Sequence, residues 1–328
     1  MTTIRGSSIR GTNIRAAGNP PPISGFTQQG VIGPAYDWRL SFAGSTLYAM
    51  SQSIFLNGTG TIFRSTNGGT TWTQGASVTG SASSYGFDLL ALSDTTVIAQ
   101  QRASIFRSTN SGTSFTNILN ATFPGQNNFF NIVSDGVYGL CSGFNQNIIS
   151  NDNWVTATTS ASQLGISLMA SCALTNNGSN RFLFAGLGSS SSPAQAYVAT
   201  NSGGSAVGPI AVLGNQSFVA SNPTTGFNAI VSAPEGGGAL AVYYATYPGT
   251  SYSTANISGL NLTRSGQPCI SPSGTIIVPM TNGVWSVTTS GAPTQISALT
   301  DVVATTSDYA GGYVYLIRGN GTVYRWAP

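Results

Sequence analysis

Three aspartates stand in similar local contexts: Asp37 in YDWRLSF, Asp88 in FDLLALS and Asp301 in TDVVATT. Each opens a run of alternating apolar residues that is typical of a strand and that we expect to be the innermost strand of its sheet, and Asn131 and Asn228 stand in matching places. Hydrolysis of a glycosidic bond needs two carboxyl groups, one protonated and one ionised, on either side of the scissile bond. An Asp or Asn that recurs before a strand is also what a turn produces. We favour the turn interpretation and keep Asp37, Asp88 and Asp301 as catalytic candidates under the alternative of a glycosidase.

The chain offers few residues for other kinds of catalysis or for metal binding. There is no histidine, so neither a Ser-His-Asp triad nor a histidine-based zinc site can form. Cys141, Cys172 and Cys269 are far apart, and we expect them to be buried core residues. The glycine-rich PEGGGAL lacks the ending of a phosphate-binding loop. We therefore expect no cofactor and no metal.

A repeat in the 40s positions the candidate strands. Ser65 in FRSTNGGTTW is followed 43 residues later by Ser108 in FRSTNSGTSF, and related strings return at Ser150 and Ala199. Each follows apolar residues of a strand, and two further strand-like runs precede it. A period of this length made of short strands and turns is typical of β-propeller blades.

In the second half of the chain the repeat is less regular, but similar strands recur at TSYST (250–254), GVWSV (283–287) and TVYRW (322–326). Counting the strand before each marker predicts an all-β, seven-bladed β-propeller with an extended N-terminal arm. We assign residues 1–30 to the arm and residues 31–328 to the propeller. The last blade ends at TVYRW without an outer strand, so we expect a strand from roughly residues 22–36 to close the ring.

The repeated string resembles the Asp-box, the sialidase-type repeat with the pattern Ser-x-Asp-x-Gly-x-Thr-Trp. The residues that carry the resemblance are Ser65, Asn67, Gly69 and Trp72 in the first copy, Ser108, Asn110, Gly112 and Phe115 in the second, and Asp152 and Trp154 in the third, which we interpret as lacking the glycine and threonine. The family places this box in the hairpin between the third and fourth strands of a blade. The resemblance implies a structural role for these residues; substrate binding by Asn67, Asn110 or Asp152 is the alternative.

Sialidases share this repeat, so the resemblance also raises their chemistry: three arginines that grip a carboxylate, a tyrosine nucleophile, a glutamate and an acidic aspartate. The sequence lacks the Arg-Ile-Pro string of the first arginine, and its one glutamate, Glu235, lies in the loop-like APEGGG. We do not expect a sialidase.

The N-terminal 30 residues stand outside the repeat. Ile4, Ile9 and Ile14 recur at intervals of five, followed by Arg5, Arg10 and Arg15 respectively. An interval of five matches neither a strand nor a helix. Either this segment is a frayed tail, or it is an arm that becomes ordered on an apolar, acidic partner surface after the stiff spacer Pro20–Pro22.

Composition adds the last expectation. Only 6% of the 328 residues are charged, the net charge of +3 is too small to indicate nucleic-acid binding, and no apolar run is long enough for a signal sequence or a membrane helix. A Gly/Ser/Thr/Asn-rich β-protein with an anchoring arm is similar in general appearance to bacteriophage tail, fibre or capsid-decoration proteins.

This resemblance implies a non-enzymatic subunit of a symmetric virion, made in the host cytoplasm without insertion into a membrane. Such a subunit would bind other virion proteins through Ile4, Arg5, Ile9, Arg10, Ile14 and Arg15, and a host surface glycan is a further expected partner. The alternatives are a glycosidase that degrades a surface polysaccharide and an assembly factor such as the propellers that assist photosystem biogenesis.

Overall fold

The computed structural model describes residues 25–35, 37–52, 59–80, 86–120, 129–143, 146–161, 168–173, 181–186, 195–200, 207–211, 216–222, 224–233, 240–246, 252–257, 267–289 and 293–328. Across these ranges the chain forms strands and turns and no helix. None of this part of the chain offers a helix of the length and apolarity that crossing a membrane requires.

The described strands pair into seven antiparallel four-stranded sheets, which we number as blades I–VII along the chain. Blade I contains β2 (Asp37–Ala43), β3 (Thr46–Gln52), β4 (Thr59–Ser65) and β5 (Thr73–Thr79). Blade II contains β6 (Phe87–Ala91), β7 (Val97–Gln101), β8 (Ser104–Ser108) and β9 (Thr116–Asn120). Blade III contains β10 (Phe129–Ser134), β11 (Gly139–Gly143), β12 (Gln146–Ser150) and β13 (Thr158–Ala161).

Blade IV contains β14 (Leu168–Ala173), β15 (Arg181–Gly186), β16 (Gln195–Thr200) and β17 (Val207–Ala211). Blade V contains β18 (Gln216–Ser221), β19 (Phe227–Ala233), β20 (Leu240–Thr246) and β21 (Ser253–Ile257). Blade VI contains β22 (Cys269–Ile270), β23 (Ile276–Met280), β24 (Gly283–Val287) and β25 (Thr294–Ser297). Blade VII contains β26 (Val302–Asp308), β27 (Tyr313–Arg318), β28 (Thr322–Trp326) and, as its outer strand, β1 (Phe26–Val31).

The innermost strand of blades I–VI is the first one along the chain, and the innermost strand of blade VII is β26. These strands contact their neighbours in the order β2, β6, β10, β14, β18, β22 and β26, and β26 contacts β2 again, so the ring is closed. Because consecutive strands are antiparallel, the turns between the first and second strands and between the third and fourth strands lie on one face, which we call the turn face. The all-β propeller that the repeat predicts is confirmed.

Blade VII is composite, and this corrects the predicted number of blades in residues 31–328. That segment contains six complete blades and three strands of blade VII, so the prediction of seven complete blades in it is wrong, whereas the strand expected from roughly residues 22–36 to close the ring is β1. β1 pairs with β28, with Phe26 opposite Trp326 and Val31 opposite Thr322. The propeller therefore takes its closing strand from residues 26–31, almost all of which we had assigned to the arm.

One strand assignment in the second half of the chain is also wrong. TSYST was predicted to contribute the third strand of its blade, but β21 is the outer strand, and the third strand is β20 (Leu240–Thr246). β20 reads LAVYYAT, an almost continuous apolar run, so a search for alternating apolar and polar residues does not select it.

The core lies between adjacent blades. One cluster joins blades I and II through buried residues such as Tyr48, Ile62 and Val97, and another joins blades VI and VII and includes Phe26 and Leu316. Successive side chains of a strand point to opposite faces of the blade, and stacking of the blades around the ring buries both faces.

Candidate functional site

The inner strands of blades I and II bring Asp37 and Asp88 to opposite sides of one arginine. Arg39 Nη1 lies 3.1 Å from Asp37 Oδ2, and Arg39 Nε lies 3.8 Å from Asp88 Oδ1. Arg39 shares a strand face with Asp37 because the two are two residues apart. Its guanidinium also lies over the Phe87 ring, 4.4 Å from the ring centroid. The cluster is therefore an ion-paired network and not an isolated pair of carboxylates.

Asp88 also reaches the next blade. Its Oδ2 accepts a hydrogen bond of 2.8 Å from the backbone N–H of Ile132 in β10, and the residue is only 5% exposed. Burial raises the pKa of Asp88 to about 6, although Arg39 and the N–H of Ile132 act in the opposite direction. The Asp88 side chain thereby connects blades I, II and III.

Asp301 is held in a separate arrangement. It lies just before β26 with a positive φ of 56°, and its Oδ1 is 2.6 Å from Arg318 Nη2. No described hydrogen bond or ion pair joins Asp301 to Asp37 or Asp88. Asp301 is thus held by Arg318, whereas Asp37 and Asp88 share Arg39.

The two asparagines in matching places of the sequence differ from each other in the structure. Asn131 lies on the inner strand β10, as expected, but Asn228 lies on β19, the second strand of blade V. Asn228 accepts a hydrogen bond of 2.6 Å from the Tyr252 hydroxyl. The prediction that Asn228 begins an inner strand is wrong.

The first Asp-box-like turn is closed by its own side chains. Ser65 Oγ accepts the N–H of Gly69 at 2.9 Å, and Asn67 Oδ1 accepts the N–H of Thr71 at 3.0 Å. Gly69 has a φ of 88°, in the region that favours glycine. Trp72 Nε1 donates to the Gly69 carbonyl, and its ring packs against the cluster between blades VII and I. The turn joins the third and fourth strands of blade I.

The second turn repeats these bonds. Ser108 Oγ accepts the N–H of Gly112 at 2.9 Å, and Asn110 Oδ1 accepts the N–H of Ser114 at 3.0 Å. Asn110 Nδ2 donates to Ser114 Oγ, just as Asn67 does to its threonine. Phe115 packs against the cluster between blades I and II.

The third turn keeps more of the pattern than the sequence indicated. Ser150 Oγ accepts the N–H of Trp154 at 2.8 Å, and Asp152 Oδ1 accepts the N–H of Thr156 at 2.9 Å. Thr156 Oγ1 also donates to Asp152 Oδ2 at 2.6 Å. The interpretation that this copy lacks the threonine is therefore wrong, because Thr156 occupies its place.

Trp154 takes the position of the glycine and not that of the tryptophan in the first copy. Its N–H makes the bond that Gly69 makes, its φ is 65°, and its side chain is fully buried. The indole lies against Gly139, where an added Cβ would overlap the ring, and Nε1 donates to the Val133 carbonyl at 3.2 Å. A local glycine is thus replaced by a core residue whose burial offsets the backbone strain.

These turns also contact the preceding blade. The N–H of Ala76 in β5 donates to the carbonyl of Gly112 at 2.8 Å, which links the outer strand of blade I to the turn of blade II. Gly30 in β1 lies close to the carbonyls of Gly69 and Thr70 in the same way. The described bonds of Asn67, Asn110 and Asp152 lie within their own turns.

Asp94, which the sequence interpretation overlooked, links blades I and II on the turn face. Its Oδ1 accepts the N–H of Ser45 at 2.6 Å and the hydroxyl of Thr46 at 2.8 Å. The backbone bond from Ser45 is the largest cause that lowers the pKa of Asp94. SDTT, with an aspartate between two strand-like runs, is the local turn signal that indicates such a residue, but not its partner in another blade.

The remaining candidates are the cysteines and the arm. Cys141 and Cys269 are buried and free, and burial raises the pKa of both thiols. The side chain of Cys172 and all the arm residues, Ile4, Arg5, Ile9, Arg10, Ile14 and Arg15, lie outside the described residues. The described part of the chain contains no group of three or more Cys, Asp or Glu side chains that could hold a metal ion.

Comparisons with known proteins agree with the class that the fold defines, a β-propeller. No family model matches the sequence. No curated protein matches it either. Among solved structures, a chain of the mitotic checkpoint complex is 8% identical, with a TM-score of 0.67 over 100% of this chain and 99% of that chain.

Two further solved propellers are similar to a comparable degree. The Dos1 propeller is 10% identical, with a TM-score of 0.63 over 92% of this chain and 95% of that chain. YCF48 from Cyanidioschyzon merolae is 10% identical, with a TM-score of 0.61 over 93% of this chain and 99% of that chain. At these identities the similarity shows the fold alone.

Proposed function

We propose that this protein is a non-enzymatic structural propeller of a phage-like virion, a tail, fibre or capsid-decoration subunit that assembles through its N-terminal arm. The observation that carries the non-enzymatic part is the bonding of Asp88. This carboxyl is 5% exposed, bonded to the N–H of Ile132 and faced by Arg39. A general acid must reach the oxygen of the leaving group, and Asp88 faces protein groups instead.

The other two carboxylates support the same proposal. Asp37 binds the N–H of Trp38 and the guanidinium of Arg39, and Asp301 binds Arg318. In a glycosidase the second carboxylate activates water or attacks the sugar, which requires a free lone pair facing the substrate. We further propose that the three bonded turns are Asp-boxes and that their role is structural.

The virion assignment draws on the composition and on the arm. Few charges, many small polar residues and a repeated Ile-Arg segment before the first strand suit a subunit that contacts neighbours over much of its surface. A host surface glycan is the ligand we propose for the exposed propeller surface, because half-buried aromatic rings in strands can stack on sugars.

A glycosidase is the second candidate, and one observation favours it. The pKa of Asp88, raised to about 6, is in the range of a carboxyl group that acts as a general acid near neutral pH. Under this alternative the protein degrades a surface polysaccharide with Asp88 as the acid and Asp37 or Asp301 as its partner.

Incubation with a panel of bacterial polysaccharides separates the two candidates. We expect at most retention of a polysaccharide, with no release of reducing ends by the wild type or by Asp37→Asn, Asp88→Asn and Asp301→Asn. Release of reducing ends that any of these substitutions abolishes, in a variant with an unchanged circular dichroism spectrum, would establish the glycosidase and overturn the proposal.

A further inference from the structure

Blade III presents two exposed valines beside two aspartates on the turn face. Val137 is 45% exposed and Val155 is 53% exposed, and among the described residues Val31 is the one other large apolar side chain exposed in this way. Asp135 precedes Val137 by two residues, and Asp152 precedes Val155 by three. The two turns are joined by a bond of 2.6 Å from the N–H of Asn153 to the Val137 carbonyl. We call Asp135, Val137, Asp152 and Val155 the blade III patch.

The blade III patch is acidic and has no ion-pair partner among the described residues. Residues 129–161 contain two aspartates and no basic residue. Burial raises the pKa of Asp152, but hydrogen bonds from Thr156 and Ser150 outweigh burial and leave the pKa below its usual value. Asp135 accepts the N–H groups of Val137 and Tyr138 through Oδ1, and its Oδ2 is buried and accepts no bond from the described residues, so Asp152 supplies the exposed carboxylate of the patch. Neither carboxylate forms an ion pair with a described arginine.

The N-terminal segment has the complementary chemistry. Residues 1–24 contain Ile4, Ile9 and Ile14, each followed by an arginine, and no acidic residue. The segment joins β1 on the turn face, because Phe26 pairs with Trp326 at the end of β28, where the third strands of other blades lead into their turns. Twenty-four extended residues span up to about 80 Å, which is enough to reach an adjacent molecule.

We propose that the blade III patch binds the Ile-Arg segment, residues 1–24, of a second copy of this chain. Isoleucines cover Val137 and Val155, and an arginine pairs with the exposed Asp152. Blades I and II separate blade VII, which contains β1, from the patch of the same chain. The inference rests on the proposed function and names the partner of the arm as the propeller itself.

Sedimentation velocity of the full chain over a range of concentrations tests this arrangement. We expect wild type to self-associate and Val137→Ser/Val155→Ser to raise the dissociation constant by about tenfold or more, since each tenfold corresponds to the burial of roughly one such side chain. Val31→Ser is the matched control, because it changes an equally exposed valine at the far end of β1, and we expect it to associate like wild type. Asp152→Asn should weaken association most at low salt.

A mixing experiment establishes that the contact is between copies. Full-length Ile4→Ser/Ile9→Ser/Ile14→Ser keeps its patch, and full-length Val137→Ser/Val155→Ser keeps its arm. We expect each to be monomeric alone and the mixture to form a heterodimer through the one intact arm and the one intact patch. A mixture that remains monomeric at concentrations where wild type associates would overturn the exchange, because an intact arm and an intact patch on separate copies then do not bind each other.

Other outcomes separate this inference from the proposed function. If the isoleucine variant loses association and the valine variant keeps it, the arm anchors elsewhere, so the patch is overturned and the anchoring function stands. If wild type associates and neither variant changes this, the arm takes no part in self-association and the inference is overturned, whereas the anchoring function is decided by incorporation into the native particle. A wild type that is monomeric at every concentration overturns the inference directly.

Discussion

The Asp88 carboxylate of blade II accepts the backbone N–H of Ile132 in blade III at 2.8 Å, while its other oxygen faces Arg39 of blade I. These residues belong to three consecutive inner strands, so one buried side chain connects three blades at the centre of the ring. Elsewhere around the ring hydroxyl groups make such links, as where Ser307 Oγ donates to the Ile270 carbonyl at 2.7 Å. The polar groups of the inner strands thus stabilise the ring by joining blades.

The buried Asp88 makes stability depend on pH. Its folded-state pKa of about 6 is above the ordinary value of 3.8, so the folded state holds the proton more tightly than the unfolded state. The contribution of Asp88 is therefore fully present below about pH 4 and is lost as pH rises to about 6, by an amount on the order of 3 kcal/mol. Urea unfolding of wild type and Asp88→Asn between pH 3.5 and 7 measures it, and the difference between their unfolding free energies should change across this window.

Comparison with Asp88→Asn removes the effect of the other carboxylates. Asp94 and Asp152, whose pKa values are lowered, contribute in the opposite direction and equally in both proteins. Two unfolding curves that stay parallel between pH 4 and 6.5 would show that Asp88 is not held protonated by its surroundings.

Ser65 should matter more to stability than its size indicates. Ser65→Ala removes the acceptor of the buried Gly69 N–H, and an unsatisfied buried donor costs about 1–3 kcal/mol. Asn67→Asp is the matched control, because the third turn already uses an aspartate whose oxygens bind the N–H and the hydroxyl of Thr156. We expect Asn67→Asp to change the unfolding free energy by less than about 0.5 kcal/mol in urea. Equal losses in both variants would argue against this account of the turn.

Trp154 and Gly139 should be energetically coupled. Gly139→Ala places a methyl group against the indole and should destabilise wild type by about 1–3 kcal/mol. Trp154→Gly relieves the backbone strain at φ 65° but removes a buried ring, with a net loss of about 2 kcal/mol or more. In that background Gly139→Ala should have little further effect. A double-mutant cycle from denaturant unfolding measures the coupling, and additive losses would contradict it.

The turns were the most predictable part of the molecule. Each is closed by bonds between residues no more than six positions apart, so residue types and spacing carry nearly all the information. The link from Asp88 to Ile132 spans 44 residues and depends on blade order, which local patterns do not contain. Trp154 shows a second limit, because its local conformation favours glycine and only tertiary burial in the blade makes tryptophan suitable there.

Because β1 completes blade VII, we can predict which residues near the N-terminus the propeller needs for its stability. Phe26 is buried, and its ring stacks on Trp326 with centroids 5.4 Å apart. Phe26→Ala should therefore destabilise the whole propeller by about 3 kcal/mol or more, like a core substitution. Val31→Ser, at the exposed end of the same strand, should change stability by less than about 0.5 kcal/mol. Thermal unfolding followed by circular dichroism distinguishes the two, and similar small effects would show that β1 does not close the ring.

Deletion of residues 1–18 tests the proposed anchoring function most directly. The deletion leaves β1 and every other described strand intact, so the circular dichroism spectrum and melting temperature should match those of the full chain. The measurement is incorporation of the truncated chain into the native particle, followed by cryo-electron microscopy of that particle. We expect incorporation to be abolished by the deletion and the arm of the full chain to be ordered against another chain. Normal incorporation of the truncated chain, or an arm extending into solvent in the particle, would contradict the account.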